Sequence, residues 1–134
     1  MKRKVGHHLV DLLDRNHVDY LIGVAGTEFA TVIEKFSNDS ESLKIKPLTL
    51  PHEYLAVNMA YGCYLASGRL QAVMVHSTIG TLNCAAAVMN AQRMQIPLLL
   101  IAGRTATSEK GNHGSRDLFI HWAQESFDQS SPIR

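Results

Sequence analysis

Hydrophobic positions change their spacing several times along the chain, and each change marks the border of a predicted element. Residues 5–16 carry apolar side chains at helical spacing, and the apolar run VDYLIGVAG at 18–26 follows as a buried strand that ends in glycine. Helical spacing returns in TEFATVIEKFS at 27–37, with Thr27 as the predicted N-cap. A polar stretch, SNDSES at 37–42, is predicted to be a loop.

The middle of the chain continues this alternation of short apolar runs and longer helical patterns. The predicted order is a strand IKPLTL at 45–50, a helix at 53–68 closed by Gly68, a strand LQAVMVH at 70–76, a helix at 79–95 and a strand IPLLLIAG at 96–103. Apolar runs without polar alternation are typical of parallel strands that are buried on both faces. We therefore predict a three-layer α/β fold, with a mostly parallel sheet and helices on both faces.

The pattern changes after Gly103. The remaining segment is polar, with one short amphipathic piece around Trp122 and Phe127, and no further strand is predicted before Arg134. Long segments without regular structure in compact domains are often functional. We expect residues 1–134 to be a single domain that is incomplete at the C-terminal edge of its sheet.

Composition narrows the classes of function. A chain of 134 residues with 46% hydrophobic content can bury one core, and a net charge of +1 gives no field for nucleic acid or an anionic membrane. The N-terminal MKRKVGHHLVDLL is neither a signal peptide nor a membrane span, so we expect a cytoplasmic protein. Cys63 and Cys84 are predicted to be buried free thiols, and His52 and Glu53 do not continue into H-E-x-x-H, so no metal site is predicted.

Three predicted loops place polar residues at one edge of the sheet. They are GVAGTE at 23–28, PHE at 51–53 and HSTIGTLN at 76–83, and each follows the carboxyl end of a strand. Ligands bind at that edge in open parallel sheets, so these loops should converge.

Taken singly, the polar residues of these loops have ordinary structural explanations. Glu53 can be an acid at a helix start, His76 a strand-end histidine with a backbone partner, and Thr81 or Asn83 a helix cap. Taken together, a carboxylate and an imidazole beside glycines that let a ligand approach the backbone favour an acid/base site.

These stretches, in this order, resemble a known family. GVAGTEF, then PHEYLAVNMAYGCYLASG, then AVMVHSTIGTLNCAAAVMNAQRMQIPLLLIAG and then GSRDLFIHWAQESFDQ are similar to the N-terminal, pyrimidine-binding domain of thiamine diphosphate enzymes. The acetolactate synthase-like and benzoylformate decarboxylase-like groups are the most similar. The resemblance covers nearly the whole chain and implies thiamine diphosphate as the cofactor.

The resemblance implies a role for Glu53. In such enzymes the glutamate after the second strand hydrogen-bonds the ring nitrogen of the aminopyrimidine, and so promotes the tautomer that takes the proton from the thiazolium carbon. Glu53 matches this position, and Gly26, Gly80 and Asn83 match the cofactor-binding loops. The chemistry requires an acid that shares a proton in a site poor in water.

The resemblance also implies a substrate site for a small 2-oxo acid. His76 matches the histidine that moves protons on the substrate in the decarboxylase-like group, where acetolactate synthases usually carry another residue. Thr27 matches a hydroxyl residue that contacts substrate, and Gln124 matches a polar residue near the active site.

Two departures from the family limit what this chain can do. Ala25 replaces the usual proline of a Gly-x-Pro-Gly turn, and no Gly-Asp-Gly motif is found, so Mg²⁺ and the diphosphate would be held by a domain that is absent here. Some relatives hold FAD in a central domain, and the resemblance leaves open whether FAD binds here. We expect the isolated chain to be inactive and to act as a homo-oligomer or with a separate diphosphate-binding chain. The alternatives are an inactive truncated remnant or interaction module and, outside this family, a flavodoxin-like protein.

Overall fold

The computed structural model describes residues 4–112, 114–116 and 118–134 as one parallel sheet with helices on both faces. The strands are β1 Tyr20–Gly23, β2 Lys46–Thr49, β3 Ala72–Val75 and β4 Leu99–Ala102. The helices are α1 Val5–Arg15, α2 Ala30–Asp39, α3 Glu53–Ser67, α4 Ser77–Arg93 and α5 Phe119–Ala123. The sheet order is β2-β1-β3-β4, and all three strand pairs are parallel.

Alternate residues of the central strands enter two separate cores. Leu21 and Met74 point to the core that α1 and α2 cover, whereas Ile22, Val73 and Val75 point to the core that α3 and α4 cover. The side chains that α3 and α4 bury in this second core are small, namely Ala56, Val57, Ala60, Cys84 and Ala87. The three-layer α/β prediction is therefore confirmed.

Burial on both faces, which was predicted for the strands, holds only in the middle of the sheet. All four residues of β3 are buried, but β2 and β4 are largely exposed or half-buried. They are the two outer strands of the described sheet, so each lacks a neighbour on one side. A run of apolar residues indicates a strand but does not distinguish a central strand from an outer one.

Two boundaries of α2 differ from the prediction. The loop predicted at 37–42 is wrong for its first three residues, because α2 continues to Asp39. Lys35 pairs with Asp39 at 2.8 Å and with Asp11 of α1 at 2.7 Å, which favours this last turn. Thr27 is not the N-cap, because a 3₁₀ turn at Thr27–Phe29 precedes the start of α2 at Ala30.

The start of α4 also differs from the prediction. The helix begins at Ser77, directly after β3, where Ser77 has a positive φ of 49°. Neither Thr81 nor Asn83 caps it, because the Thr81 hydroxyl donates to the Ser77 carbonyl within the helix and the Asn83 side chain donates to Glu53. The end of α3 is as predicted, with Gly68 in the left-handed conformation at φ 69°.

The amphipathic piece predicted near the C-terminus contains the short helix α5 and lies at the surface. α5 buries none of its residues, and both Trp122 and Phe127 are exposed. No helix in the described ranges is both long and apolar enough to cross a membrane.

We predict that Gly6→Ala destabilises the domain by about 1–3 kcal/mol, because a methyl group there would overlap the Thr31 side chain where α1 meets α2. The control is Gly62→Ala, since a Cβ on Gly62 in the middle of α3 meets no atom within 4 Å. That change should stabilise α3 by about 0.5–1 kcal/mol. Urea unfolding midpoints measure both effects, and an unchanged midpoint in Gly6→Ala would contradict the close packing of α1 against α2.

Candidate active site

The carboxyl edge of the sheet carries the predicted site residues in two groups. The first group is Glu53 with Gly80 and Asn83. The second is His76 with Gly26, Thr27 and Gln124. Both groups lie against the first two turns of α4, but their side chains form separate hydrogen-bond networks. The three loops thus lie at one edge of the sheet, as predicted, but their side chains form two neighbouring groups and not one.

Glu53 is a buried carboxylate at the start of α3. Its side chain is only slightly accessible, since the residue is 8% exposed. Oε2 accepts a hydrogen bond of 2.9 Å from Asn83 Nδ2. A Cβ on Gly80 would lie 3.2 Å from Oε1, so the missing side chain lets α4 approach the carboxylate closely. The position at the N-terminus of a helix favours negative charge.

The surroundings of Glu53 supply little countercharge. Within the described ranges, no lysine, arginine or histidine forms an ion pair with this carboxylate. Burial, together with the nearby Glu53 charge, raises the pKa of the Cys84 thiol to about 11, so this neighbour stays neutral at physiological pH. Exposed apolar side chains follow Glu53 on α3 and flank Gly80 along α4, namely Tyr54, Leu55, Ile79 and Leu82.

His76 lies between a carboxylate and an amide. Its Nδ1 is 2.5 Å from Glu28 Oε2, and its Nε2 is 3.2 Å from Gln124 Nε2. A carboxylate oxygen accepts, so Glu28 favours the proton on Nδ1, and the Gln124 amide, with its NH₂ group turned to the ring, donates to Nε2. The ring contacts of His76 are thus with side chains, and the alternative of a strand-end histidine with a backbone partner does not apply. Gly26 lies beside this pair, where a Cβ would be 2.7 Å from both Nδ1 and Glu28 Oε2.

Glu28 is the residue of this group that the sequence analysis did not single out. It was counted only as part of a glycine turn after the first strand. The signal that could have found it is topological, because β1 and β3 are neighbours and an acid just after β1 can reach a histidine just after β3.

A cavity of about 230 Å³ opens beside the His76 group. Its lining residues are Thr27, Glu28, His76, Arg104, Thr105, Ala106, Gly114, His121 and Gln124. The cavity has room for a small organic molecule, since one water takes about 30 Å³ in the liquid. Thr27 and Gln124, both predicted from the sequence, thus lie with His76, while Glu53 does not line this cavity.

The C-terminal segment is held over this cavity by charged groups. Arg116 is buried and binds both carboxylate oxygens of Glu125, which lowers the pKa of Glu125, and its guanidinium lies 4.7 Å from the centre of the Trp122 ring. Arg104 also reaches Glu125, at 3.2 Å. The Gln124 carbonyl accepts from Thr78 of α4 at 3.2 Å, which places the Gln124 amide beside His76.

Comparison with known families identifies the family to which this chain belongs. The family model of the thiamine pyrophosphate enzyme N-terminal TPP binding domain matches residues 3–131. The chain therefore belongs to this family of cofactor-binding domains, and the resemblance seen in the sequence is confirmed.

Individual relatives agree with this class. "Putative acetolactate synthase large subunit IlvB2" of Mycobacterium tuberculosis is 30% identical over 113 residues, which are 84% of this chain and 20% of that protein. 2-Hydroxyacyl-CoA lyase 2 of Danio rerio is 28% identical over 116 residues, covering 87% and 18% of the two chains. This chain thus spans about one fifth of the length of these relatives.

A solved structure shows the same fold. The X-ray structure of a "putative thiamin diphosphate-dependent enzyme" from Mycobacterium smegmatis superposes with a TM-score of 0.63 at 27% identity. The superposition covers 78% of this chain and 19% of that one.

Proposed function

We propose that this chain binds the aminopyrimidine end of thiamine diphosphate at Glu53 and presents His76 to a small 2-oxo acid. It would form part of a 2-oxo acid decarboxylase or an acetolactate synthase-like carboligase. The observation that carries the proposal is the buried Glu53 carboxylate, which is held by Asn83, approached closely at Gly80 and not neutralised by a cation in the described ranges.

The Glu53 group has the donors and acceptors that an aminopyrimidine requires. One carboxylate oxygen is fixed by Asn83, and the acid can share its proton with a weakly basic ring nitrogen at the other. Gly80 keeps the backbone of α4 close to that position. Thiamine diphosphate, when bound, supplies carbanion stabilisation, and the protein contributes orientation and proton handling.

The His76 group suits a substrate rather than the cofactor. His76, Thr27 and Gln124 all line the cavity, and Nε2 is the ring nitrogen of His76 that contacts Gln124. When a substrate oxygen replaces the Gln124 amide at Nε2, this nitrogen can take or return a proton. These positions agree with roles in substrate binding for all three residues.

Arg104 supports an anionic substrate. It lines the cavity with 49% of its side chain exposed, and its contact with Glu125 is a single bond of 3.2 Å. The charge of Glu125 is already met by Arg116, which binds both of its carboxylate oxygens. Arg104 can therefore turn towards a carboxylate in the cavity.

The exposed apolar side chains around Glu53 favour a covered surface. Leu55, Ile79 and Leu82 are exposed beside the proposed pyrimidine site. A diphosphate-binding domain, from the same protein, a second subunit or a separate chain, would cover them and hold Mg²⁺ with the diphosphate. The proposal includes two further points, a site for FAD in another domain and a location in the cytoplasm.

We predict that the purified chain alone does not turn over 2-oxo acids, because the metal and diphosphate site lies outside it. A chimera that carries this chain in place of the matched segment of the M. tuberculosis relative should bind thiamine diphosphate with Mg²⁺ in a calorimeter and release CO₂ from a 2-oxo acid. Turnover by the chain alone would contradict the proposal. A folded chimera that binds no cofactor would instead favour an inactive remnant or an interaction module.

We predict that Arg104→Gln in this chimera lowers kcat/KM for a 2-oxo acid about 10- to 100-fold, mainly through KM, because a hydrogen bond to a charged group contributes about 1.5–3 kcal/mol. Arg69→Gln is the matched control, since Arg69 pairs with Asp19 at the opposite edge of the sheet. Steady-state kinetics measure both variants. Equal kcat/KM in the parent chimera and Arg104→Gln would remove Arg104 from substrate binding.

A further inference from the structure

We propose that Glu28 is a positioning residue that fixes the tautomer of His76, so that Nε2 is the ring nitrogen that exchanges protons in the cavity. The inference deepens the proposed function and rests on it for the role of His76. Its structural basis is the chain of contacts from Glu28 Oε2 to His76 Nδ1 and from His76 Nε2 to the Gln124 amide.

The pairing of β1 with β3 brings Glu28 and His76 together. Gly23 of β1 lies beside Met74 of β3, so the loops that follow these strands emerge side by side. His76 comes two residues after Met74, and Glu28 lies in the 3₁₀ turn that follows the β1 loop. The contact between the two side chains therefore depends on the parallel register of the central strands.

Two glycines from different loops provide the space for this carboxylate. A Cβ on Gly26 would lie 2.7 Å from Glu28 Oε2, and a Cβ on Gly103 would lie 2.8 Å from the Glu28 carboxyl carbon. Both distances are shorter than the contacts that Cβ atoms make in proteins, so a larger residue at either position would displace the Glu28 carboxylate. The backbone after β1 and after β4 thus accommodates one particular side chain.

The second oxygen of Glu28 indicates that stability does not explain the arrangement. Oε1 is buried and has no hydrogen-bond partner among the described residues. A buried carboxylate oxygen without a partner costs free energy. The other oxygen, Oε2, contacts His76. An acid that destabilises the fold through one oxygen and orients a histidine through the other is better explained by proton transfer than by stability.

The chemistry of the pair follows from its geometry. With its proton on Nδ1 donated to Glu28, the neutral ring can accept a proton only at Nε2, the nitrogen that contacts Gln124 of the cavity lining. The positive charge formed on the ring is then stabilised by the adjacent carboxylate, and the same proton returns to a substrate oxygen from Nε2. Glu28 also lines the cavity, and its role in this proposal is exerted through His76.

The chain contains a second carboxylate–histidine pair that serves as a control. His7 Nε2 lies 3.3 Å from Glu34 Oε2, and Lys4 binds the same oxygen at 2.6 Å. This pair joins α1 to α2, away from the cavity. Substituting Glu34 removes a carboxylate partner of a histidine without touching His76.

The test is ¹⁵N NMR of the histidine rings in this chain without cofactor, at about pH 9, where imidazole is ordinarily neutral. In the parent chain, His76 should show a protonated Nδ1 and an unprotonated Nε2. In Glu28→Leu, the ring should become a mixture of the Nδ1-protonated and Nε2-protonated tautomers. The second tautomer becomes accessible because the Gln124 amide can rotate and accept a hydrogen bond from Nε2–H. Glu28→Gln should retain more of the protonated Nδ1, since its amide oxygen can still accept, and Glu34→Leu should leave His76 unchanged.

Gly103→Ala gives a second route that keeps the acid but displaces it, and it should shift the same tautomer equilibrium. A parent ring protonated on Nε2, or a folded Glu28→Leu chain with Nδ1 still fully protonated, would overturn the proposal. Because this experiment uses neither cofactor nor a partner domain, its failure is separate from a failure of cofactor binding at Glu53.

Discussion

The burial of carboxylates at the carboxyl edge of a parallel sheet is the constraint on which the rest of this structure depends. Glu53 and one oxygen of Glu28 are removed from water without a lysine or arginine partner among the described residues. A glycine lies close to each acid: a Cβ on Gly103 would overlap the Glu28 carboxylate, and a Cβ on Gly80 would lie 3.2 Å from Glu53 Oε1. Such arrangements oppose stability and are typical of sites where proton transfer is required.

The two acids divide the edge into two sites with different chemistry. Glu53 accepts a hydrogen bond from the Asn83 amide, and the proposed function assigns it to the aminopyrimidine ring of the cofactor. Glu28 contacts an imidazole at a cavity that Arg104 also lines, and the proposed function assigns this cavity to a small anionic substrate. His76 is the N-cap residue of α4 and Gly80 lies in its first turn, so the start of one helix carries a residue of each site.

The parts of this picture that could be predicted from the sequence are those that depend on local patterns. The alternation of apolar runs and helical spacing predicted the layers, and the positions of Glu53 and His76 after strands predicted the edge on which they lie. Glu28 was missed because its role depends on which strands are neighbours, and a pattern along the chain does not contain the sheet order. The exposure of β4 was missed for the same reason, and the cap at Thr27 because a 3₁₀ turn competes with the helix start.

Proton–deuterium exchange at the thiazolium carbon of the cofactor, in the chimera and without substrate, tests the central claim most directly. Glu53→Gln keeps the size of the side chain and one hydrogen bond but cannot share an acidic proton, and loss of a positioned acid/base group costs about 10²- to 10⁴-fold. His76→Ala removes a group that faces the substrate cavity. The account predicts slow exchange in Glu53→Gln beside near-normal exchange in His76→Ala, and equal exchange rates in the two variants would contradict it.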